Sequence, residues 1–135
     1  MNYWLMKTEP TAYSWDQLLR DRKTNWDGVR NYQARNNMKA MEKGDGVLIY
    51  HSIVGKEVVG LAEVSRTYFP EPNCDNPQWV AVEISAKSSL KKTVKLDDIK
   101  SNPILIEIAL LKQSRLSVMP ITHEEYEEII RMSEN

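Results

Sequence analysis

Cysteine and histidine are both scarce in this chain of 135 residues. Cys74 is the single cysteine, so no disulfide can form within the chain, and this is typical of a protein in a reducing compartment. One cysteine and two histidines cannot supply the tetrahedral ligand set of a structural zinc site. We therefore expect no metal ion and no cofactor, although a metal site built from carboxylates alone is compatible with the sequence.

Long apolar segments are also missing. No run of apolar residues approaches the ~20 that span a bilayer, so we expect no membrane partner. Residues 1–9 lack a basic region followed by an apolar stretch, which argues against a signal peptide. The length, with no linker or internal repeat, predicts a single domain over residues 1–135. A cytoplasmic protein is expected, or a nuclear one if the source is eukaryotic.

The charges are nearly balanced in total but unevenly distributed. The formal net charge is −1, yet residues 20–43 contain seven basic and three acidic side chains. Residues 123–135 contain five glutamates and one arginine. A positive face around residues 20–43 would attract phosphate groups. The alternative is a pair of solvated helix faces of opposite sign, and charge alone does not decide between the two.

Capping motifs and apolar spacing predict helices. Residues 14–17 have the S-x-x-Q form of a capping box, and residues 122–125 have the T-x-x-E form. Asn31 is suited to cap a central helix whose apolar residues recur at i, i+4 and i+7, and Gly44 follows the end of that helix. A further helical turn is predicted at residues 97–101.

Alternating apolar residues predict strands. The predicted strands are residues 3–7, 47–52, 57–69, 79–86 and, at an edge, 94–96. Residues 88–92 are interpreted as a polar turn, and residues 103–111 are ambiguous between strand and helix. Small residues on one face of the strand at 57–69, including Gly60, favour a tightly curled sheet such as a compact barrel.

Aromatic, amide and basic side chains are concentrated around a turn at residues 26–28 and the helix start that follows it. A helix N-terminus offers free N–H groups and partial positive charge, which suit an anionic or carbonyl-bearing ligand. Tyr50, His51 and Ser52 end the next strand. Together these side chains suit a planar ligand held by stacking and edge hydrogen bonds. The alternative is a capped surface helix beside a buried tryptophan.

Motifs of catalysis are missing. His51 and Ser52 are adjacent, so on a regular strand they point to opposite faces and cannot form a hydrogen-bonded dyad. The sequence has no nucleophile elbow, no P-loop and no G-x-G-x-x-G. The chain is therefore not predicted to be an enzyme. Two alternatives stay open: an enzyme acting on a nucleotide or RNA with His51 as general base, and a small-molecule or protein-interaction module.

Five segments spread along the chain carry a resemblance to a known family: residues 3–10, 26–36, 50–52, 60–64 and 113–118. They resemble the EVE domain. The resemblance implies an α+β, PUA-like fold, in which a small curled β-barrel is flanked by helices, related to the PUA, ASCH and YTH domains. It also implies a non-catalytic module that recognises a modified nucleobase in DNA or RNA. Such a base can stack on aromatic rings while its methyl group gains apolar contact.

The resemblance also implies a pocket at the turn after Trp26. Trp26 and Tyr50 would stack on the base, and Asn31 and Ser52 would read its edge. The basic side chains would meet phosphates. The full set of candidate binding residues is Lys7, Trp26, Val29, Arg30, Asn31, Tyr32, Arg35, Tyr50, His51, Ser52 and Arg115. No catalytic residue is assigned, and neither the base, the choice between DNA and RNA nor the oligomeric state follows from the sequence.

Overall fold

Six strands form one mixed sheet in the computed structural model, which describes residues 1–134. The strands are β1 (Tyr3–Thr8), β2 (Lys23–Trp26), β3 (Gly46–His51), β4 (Glu57–Pro70), β5 (Val80–Lys95) and β6 (Val118–Ile121). Their order across the sheet is β2-β5-β4-β3-β1-β6. β1 and β3 run parallel, and the other neighbouring pairs are antiparallel.

Helices follow the capping motifs of the sequence. They are α1 (Trp15–Asp21), α2 (Tyr32–Ala40), α3 (Leu96–Lys100), α4 (Ala109–Lys112) and α5 (His123–Glu134), with a 3-10 helix at Pro103–Leu105. Both hydrogen bonds of the capping box at Ser14 form. The side chain of Asn31 accepts the backbone N–H of Ala34 at 2.9 Å. The box at Thr122 also forms. All three capping predictions are confirmed.

The central strands β1 and β3 form the most buried part of the sheet. Leu5, Met6 and Leu48 are fully buried, as expected for strands that are apolar on both faces. Asp45 is the buried carboxylate at the start of β3, and it accepts the indole N–H of Trp4 at 3.0 Å. It also accepts the backbone N–H groups of Asn2 and Glu42. Through these hydrogen bonds Asp45 links the start of β3 to the start of β1.

The predicted polar turn at residues 88–92 is wrong. β5 continues through this segment to Lys95 and pairs with β4, with Gly60 opposite Ser89 and Val58 opposite Val94. Ser88 and Ser89 are exposed, so the run of polar residues marks a solvent-facing part of a strand. The predicted edge strand at 94–96 is the end of β5, which lies between β2 and β4.

In the described part of the chain, the predicted barrel is not closed at the two edges of the sheet. β2, which was not predicted, pairs antiparallel with β5 and forms one edge, and β6 forms the other. Within residues 1–134 these edges do not pair with each other, so the sheet is curled and bulged but open. The predicted α+β arrangement of a sheet flanked by helices is confirmed. The ambiguous segment at 103–111 forms the 3-10 helix and the start of α4.

Candidate nucleic-acid interface

A cavity of about 650 Å³ opens beside the turn that joins β2 to α2. Three parts of the chain form its wall: the end of β1 with the residues after it, residues 24–31, and the segment before β6. The lining residues are Lys7, Thr8, Glu9, Ala12, Tyr13, Thr24, Asn25, Trp26, Asp27, Gly28, Val29, Arg30, Asn31 and Ser117. The volume lies in the range of roughly 300–1,000 Å³ typical of small-ligand sites.

The turn between β2 and α2 has a defined shape. Trp26 ends β2 with 9% of its surface exposed, so its indole packs in the core and also contributes to the cavity wall. Gly28 has a φ of +77°, a left-handed conformation that favours glycine. Asn31 then caps α2 through its side-chain oxygen. Because that oxygen is occupied by the cap, the side-chain NH₂ of Asn31 is the group left to donate to a ligand.

Glu71, on the loop that follows β4, fastens this turn. One of its carboxylate oxygens accepts the backbone N–H of Gly28 at 3.1 Å, and the carboxylate accepts both Nη groups of Arg30 at 2.7 and 3.2 Å. The hydrogen bond from Arg30 holds the pKa of Glu71 below its ordinary value, and the same bond raises the pKa of Arg30. Both groups are therefore charged near neutrality, and the rim of the cavity is held by an ion pair.

Lys7 and Tyr13 bring polar groups to the opposite wall. The Nζ of Lys7 donates to the carbonyl oxygen of Ser114 at 2.8 Å, and burial lowers the pKa of Lys7. The hydroxyl of Tyr13 donates to Asp21 at 2.7 Å, and burial, followed by this bond, raises the pKa of Tyr13. The cavity therefore combines two aromatic side chains, Trp26 and Tyr13, with an ammonium group able to meet a carbonyl or phosphate oxygen.

The predicted binding residues divide into those on the cavity wall and those elsewhere. Lys7, Trp26, Val29, Arg30 and Asn31 line the cavity. Arg115 lines an adjacent depression of about 310 Å³, which shares Asn31 with the cavity. Tyr32 and Arg35 project from α2 to the outer surface, where they lie against Trp79 and each other.

Tyr50, His51 and Ser52 do not lie on the cavity wall. Tyr50 is 3% exposed and belongs to the core. The Nε2 atom of His51 accepts the backbone N–H of Trp15 at 3.0 Å, and the backbone N–H of Ser52 donates to Thr8 at 2.9 Å. These contacts join the end of β3 to the start of α1 and to β1. The observed contacts of these three residues are therefore with the core and backbone of the protein itself.

Sequence reasoning missed several wall residues. Thr8 and Glu9 belong to the first family-like segment, and Asn25 precedes Trp26, so position along the chain was an available signal for these three. Tyr13 gave no such signal, because it lies in the irregular segment before α1 and reaches the wall only through the tertiary fold. The other missed residues are Ala12, Thr24, Asp27, Gly28 and Ser117.

Neither a metal-ligand cluster nor a membrane-spanning helix is present within residues 1–134. No group of three or more histidine, cysteine, aspartate and glutamate side chains is placed to hold a metal ion. No helix in this part of the chain is long and apolar enough to cross a membrane.

The family model of the EVE domain matches residues 2–132. The chain belongs to the EVE domain family. The resemblance predicted from the sequence is therefore confirmed, and it extends over nearly the whole chain.

Three EVE-type relatives illustrate the similarity. A crystal structure of a protein from Agrobacterium tumefaciens is 43% identical, with a TM-score of 0.95, covering 98% of this chain and 93% of that one. The human THYN1 protein, solved in complex with DNA containing 5-methylcytosine, is 29% identical with a TM-score of 0.92, covering 100% of this chain and 99% of that one. Rat thymocyte nuclear protein 1 is 32% identical over 167 residues, 98% of this chain and 74% of that protein.

A more distant structure supports the wider fold assignment. The YTH domain of a Zygosaccharomyces rouxii protein, solved with N6-methyladenosine RNA, is 12% identical with a TM-score of 0.63. At that identity the likeness concerns the fold alone. It confirms the predicted relation of this fold to the YTH domain.

Proposed function

We propose that this chain is a non-catalytic module that binds nucleic acid and accepts a modified nucleobase in the cavity beside Trp26. The observation that carries the proposal is the complex of human THYN1 with DNA containing 5-methylcytosine, because that protein matches the fold over the whole of this chain. The cavity itself is large enough for a base and lies beside a basic stretch of the chain. One domain over residues 1–135 performs this function.

The cavity wall supplies each kind of contact that a base needs. Trp26 and Tyr13 offer aromatic surface, and stacking of a base on such a ring is worth ~1–3 kcal/mol. The NH₂ group of Asn31 and the ammonium of Lys7 can donate to carbonyl oxygens of the base or to phosphate. Val29 and Ala12 add apolar surface, against which a methyl substituent packs with a gain of about 0.8 kcal/mol if it is fully buried.

A base reaches this cavity only when it leaves its stack. Extruding a paired base costs a few kcal/mol, and the cost is smallest for a mismatched or single-stranded base. We therefore expect tighter binding to a modified base in a single strand or a mismatch than to the same base in a fully paired duplex. This holds for DNA and for RNA, and the proposal covers both.

The enzyme alternative has less support. His51 is its candidate general base, but the Nε2 atom of His51 accepts the N–H of Trp15, and His51 is not among the residues that line the cavity. A general base must reach the proton that it removes from a bound substrate. A ligand in the cavity would not meet His51 in this arrangement.

Titration with matched oligonucleotides tests the proposal. Single-stranded DNA with one 5-methylcytosine and the same strand with cytosine are titrated against the wild type, Trp26→Phe and Trp26→Leu. We expect preference for the modified strand in the wild type and in Trp26→Phe, which keeps an aromatic ring. Trp26→Leu should bind the modified strand about tenfold more weakly, which corresponds to ~1.4 kcal/mol of lost stacking.

Trp15→Phe is the matched control, because Trp15 is a buried tryptophan that does not line the cavity. This variant should keep the wild-type preference, and circular dichroism checks that each variant is folded at the temperature of the titration. Weak and equal binding of both strands to the wild type would exclude this base. The same result with a panel of other methylated bases in DNA and RNA would end the proposal.

A further inference from the structure

A row of cations and aromatic rings runs along the outer surface from the rim of the cavity. Its members are Arg30, Trp79, Tyr32, Arg35, Tyr68 and Lys39, and we call it the cation–aromatic row. Arg30 lines the cavity and its guanidinium lies 5.1 Å from the ring of Trp79. The row therefore begins at the proposed base-binding site and leads away from it.

The central part of the row is a continuous stack. The rings of Trp79 and Tyr32 are stacked with centroids 5.2 Å apart and an angle of 23° between their planes. The guanidinium of Arg35 lies 5.1 Å from the ring centre of Tyr32. Its Nη1 donates to the carbonyl oxygen of Gln78 at 3.5 Å, and its Nη2 donates to Asn36 at 2.8 Å. Arg35 is thus held in place by a ring and two hydrogen-bond acceptors.

The row continues one helical turn further along α2. Tyr32, Arg35 and Lys39 are spaced at i, i+3 and i+7, so they share one face of the helix. The Nζ of Lys39 lies 5.5 Å from the ring of Tyr68, which projects from β4. Tyr32 and Tyr68 are 57% and 46% exposed, although large aromatic rings at the surface are costly to hydrate unless they have a partner.

Of the three cations in the row, Arg30 alone is paired with a carboxylate of the described chain. Arg30 is paired with Glu71, but neither Arg35 nor Lys39 forms an ion pair with any residue of the described chain, residues 1–134. Arg35 and Lys39 are thus cations that lie over aromatic rings, and each can form an ion pair with an external anion. A cation–π contact uses none of the hydrogen-bond donors of these groups. Arg35 donates three of its five N–H groups to Gln78 and Asn36, so two remain for phosphate oxygens.

The dimensions of the row fit a nucleic-acid backbone. Residues 32–39 of α2 span roughly 10 Å at ~1.5 Å per residue. Successive phosphates of one strand rise by ~3.4 Å along a B-form duplex and lie farther apart in an extended strand, so this length corresponds to about two or three phosphates. Arg35 and Lys39, one turn apart, are then placed for two phosphates on the same side of the extruded nucleotide.

From these observations we infer that the cation–aromatic row binds the phosphates that flank the recognised base on one side, through Arg35 and Lys39. The inference rests on the proposed function for the position of the base. It adds the path that the strand takes over the protein surface on one side of that base. The opposite flank of the base would leave past Lys7 and Arg115, which line the other side of the site. Binding should therefore be asymmetric about the modified base.

Two probes of equal length reveal this asymmetry. Each is a single-stranded DNA with one 5-methylcytosine, placed near the 5′ end in one probe and near the 3′ end in the other. Affinity is measured over a series of salt concentrations for the wild type and for the double variant Arg35→Gln, Lys39→Gln. Each lost phosphate contact lowers the magnitude of the salt slope by ~0.7 on a single strand, so the double variant should lose roughly 1.4. This loss should occur with one probe and be absent with the other.

The double variant Lys91→Gln, Lys100→Gln is the matched control, because it removes two exposed cations that belong neither to the row nor to the cavity wall. Lys91 lies on β5 nine residues beyond Val82, the partner of Trp26, which is about 30 Å along an extended strand. This control should change the salt slopes of both probes equally and slightly. The variant Tyr32→Leu, Tyr68→Leu keeps the charges, so it should weaken binding of the affected probe roughly two- to fivefold with little change in salt slope.

The outcomes separate the two proposals. If the wild type prefers 5-methylcytosine, then equal salt slopes of the two probes with the row variant, or slopes that match the control, would overturn the row and leave base recognition standing. If the wild type does not prefer 5-methylcytosine over cytosine, recognition of this base is contradicted, and an equal loss of slope on both probes in the row variant would show phosphate binding by the row without the inferred asymmetry. A row that binds polyglutamate but does not affect either probe would identify an acidic protein partner instead and also overturn the inference.

Discussion

His51 makes its only described polar contact through a lone pair, since its Nε2 accepts the backbone N–H of Trp15. The imidazole must be neutral to accept this bond, and burial lowers the pKa of His51 from its ordinary value of 6.5. The unfolded chain therefore binds this proton more readily than the folded protein. The contribution of His51 to the free energy of unfolding should be constant above pH ~6.5. It should decrease as the pH drops from there towards the lower pKa of the folded state.

The variant His51→Gln tests this assignment, because a glutamine can offer a carbonyl oxygen to Trp15 without titrating. We expect the thermal midpoint of the wild type to decrease as the pH falls below roughly 6.5 towards the lower pKa of folded His51, and the variant to lose this part of the decrease. Parallel profiles for the two proteins would contradict the role of a neutral His51.

Single residues were predictable from the sequence where their interactions are local. Asn31 was identified as a cap because the group that it binds lies only three residues further on. His51 was assigned to the binding site, but its partner Trp15 lies 36 residues earlier, a contact that no local pattern indicates. Gly60 was attributed to curling of the sheet. A Cβ atom at Gly60 would lie 2.2 Å from the ring of Trp15, so the packing of that indole also requires a glycine.

Among the elements, the loop between β4 and β5 has the clearest effect on the site. It carries Glu71, which fastens Gly28 and Arg30, and it ends at Trp79, which supports the cation–aromatic row. The side chain of Arg30 is half exposed, so solvent screens the ion pair with Glu71 and the pair should add little to global stability. The ion pair should affect binding because it fixes the position of Arg30 and Gly28 at the rim of the cavity.

The variant Glu71→Gln separates these two effects. It removes the negative charge and frees Arg30, so the magnitude of the salt slope of binding should increase by up to ~0.7 on a single strand. The looser turn should at the same time reduce the preference for a modified over an unmodified base. Glu63→Gln, which breaks the exposed pair with Lys87, is the control and should change neither quantity. A variant that keeps both the slope and the preference of the wild type would contradict a rim held by Glu71.

Elements were predictable where their pattern of apolar residues is regular. β1 and β3 were recognised because strands buried on both faces have nearly continuous apolar runs. The second half of β5 was misjudged because its exposed serines and lysines resemble a turn, and only pairing with β4 shows that it is a strand. β2 was missed because Lys23–Trp26 is a short, largely polar edge strand whose existence depends on β5.

At the scale of the whole molecule, the topology of the sheet creates the site. β1 lies next to β6, and the backbone N–H of Lys7 donates to Ser117 just before β6 at 2.9 Å. β2 lies at the opposite edge of the sheet and delivers Trp26. The cavity lies where these two parts of the wall come together, because the curled and bulged sheet brings its edges towards the same region.

The family-like segments predicted this overall arrangement, but the barrel that they implied is an open sheet. The α+β architecture followed from the resemblance, and the matched relatives confirm it. A closed barrel would require pairing of β2 with β6, two strands separated by about 90 residues in the chain. β2 has no strong strand pattern, so neither its presence nor its unpaired edge could be deduced from the sequence.

The most direct test of the central claim is a titration followed by NMR. The four tryptophans give separate indole N–H signals, and Trp26→Phe identifies the signal of Trp26. Addition of single-stranded DNA with one 5-methylcytosine should shift the indole of Trp26 and the amides of Gly28 and Thr8, which line the cavity. The indole of Trp4, bonded to buried Asp45, should not move. Saturable binding that leaves Trp26, Gly28 and Thr8 unchanged would contradict a base in the cavity.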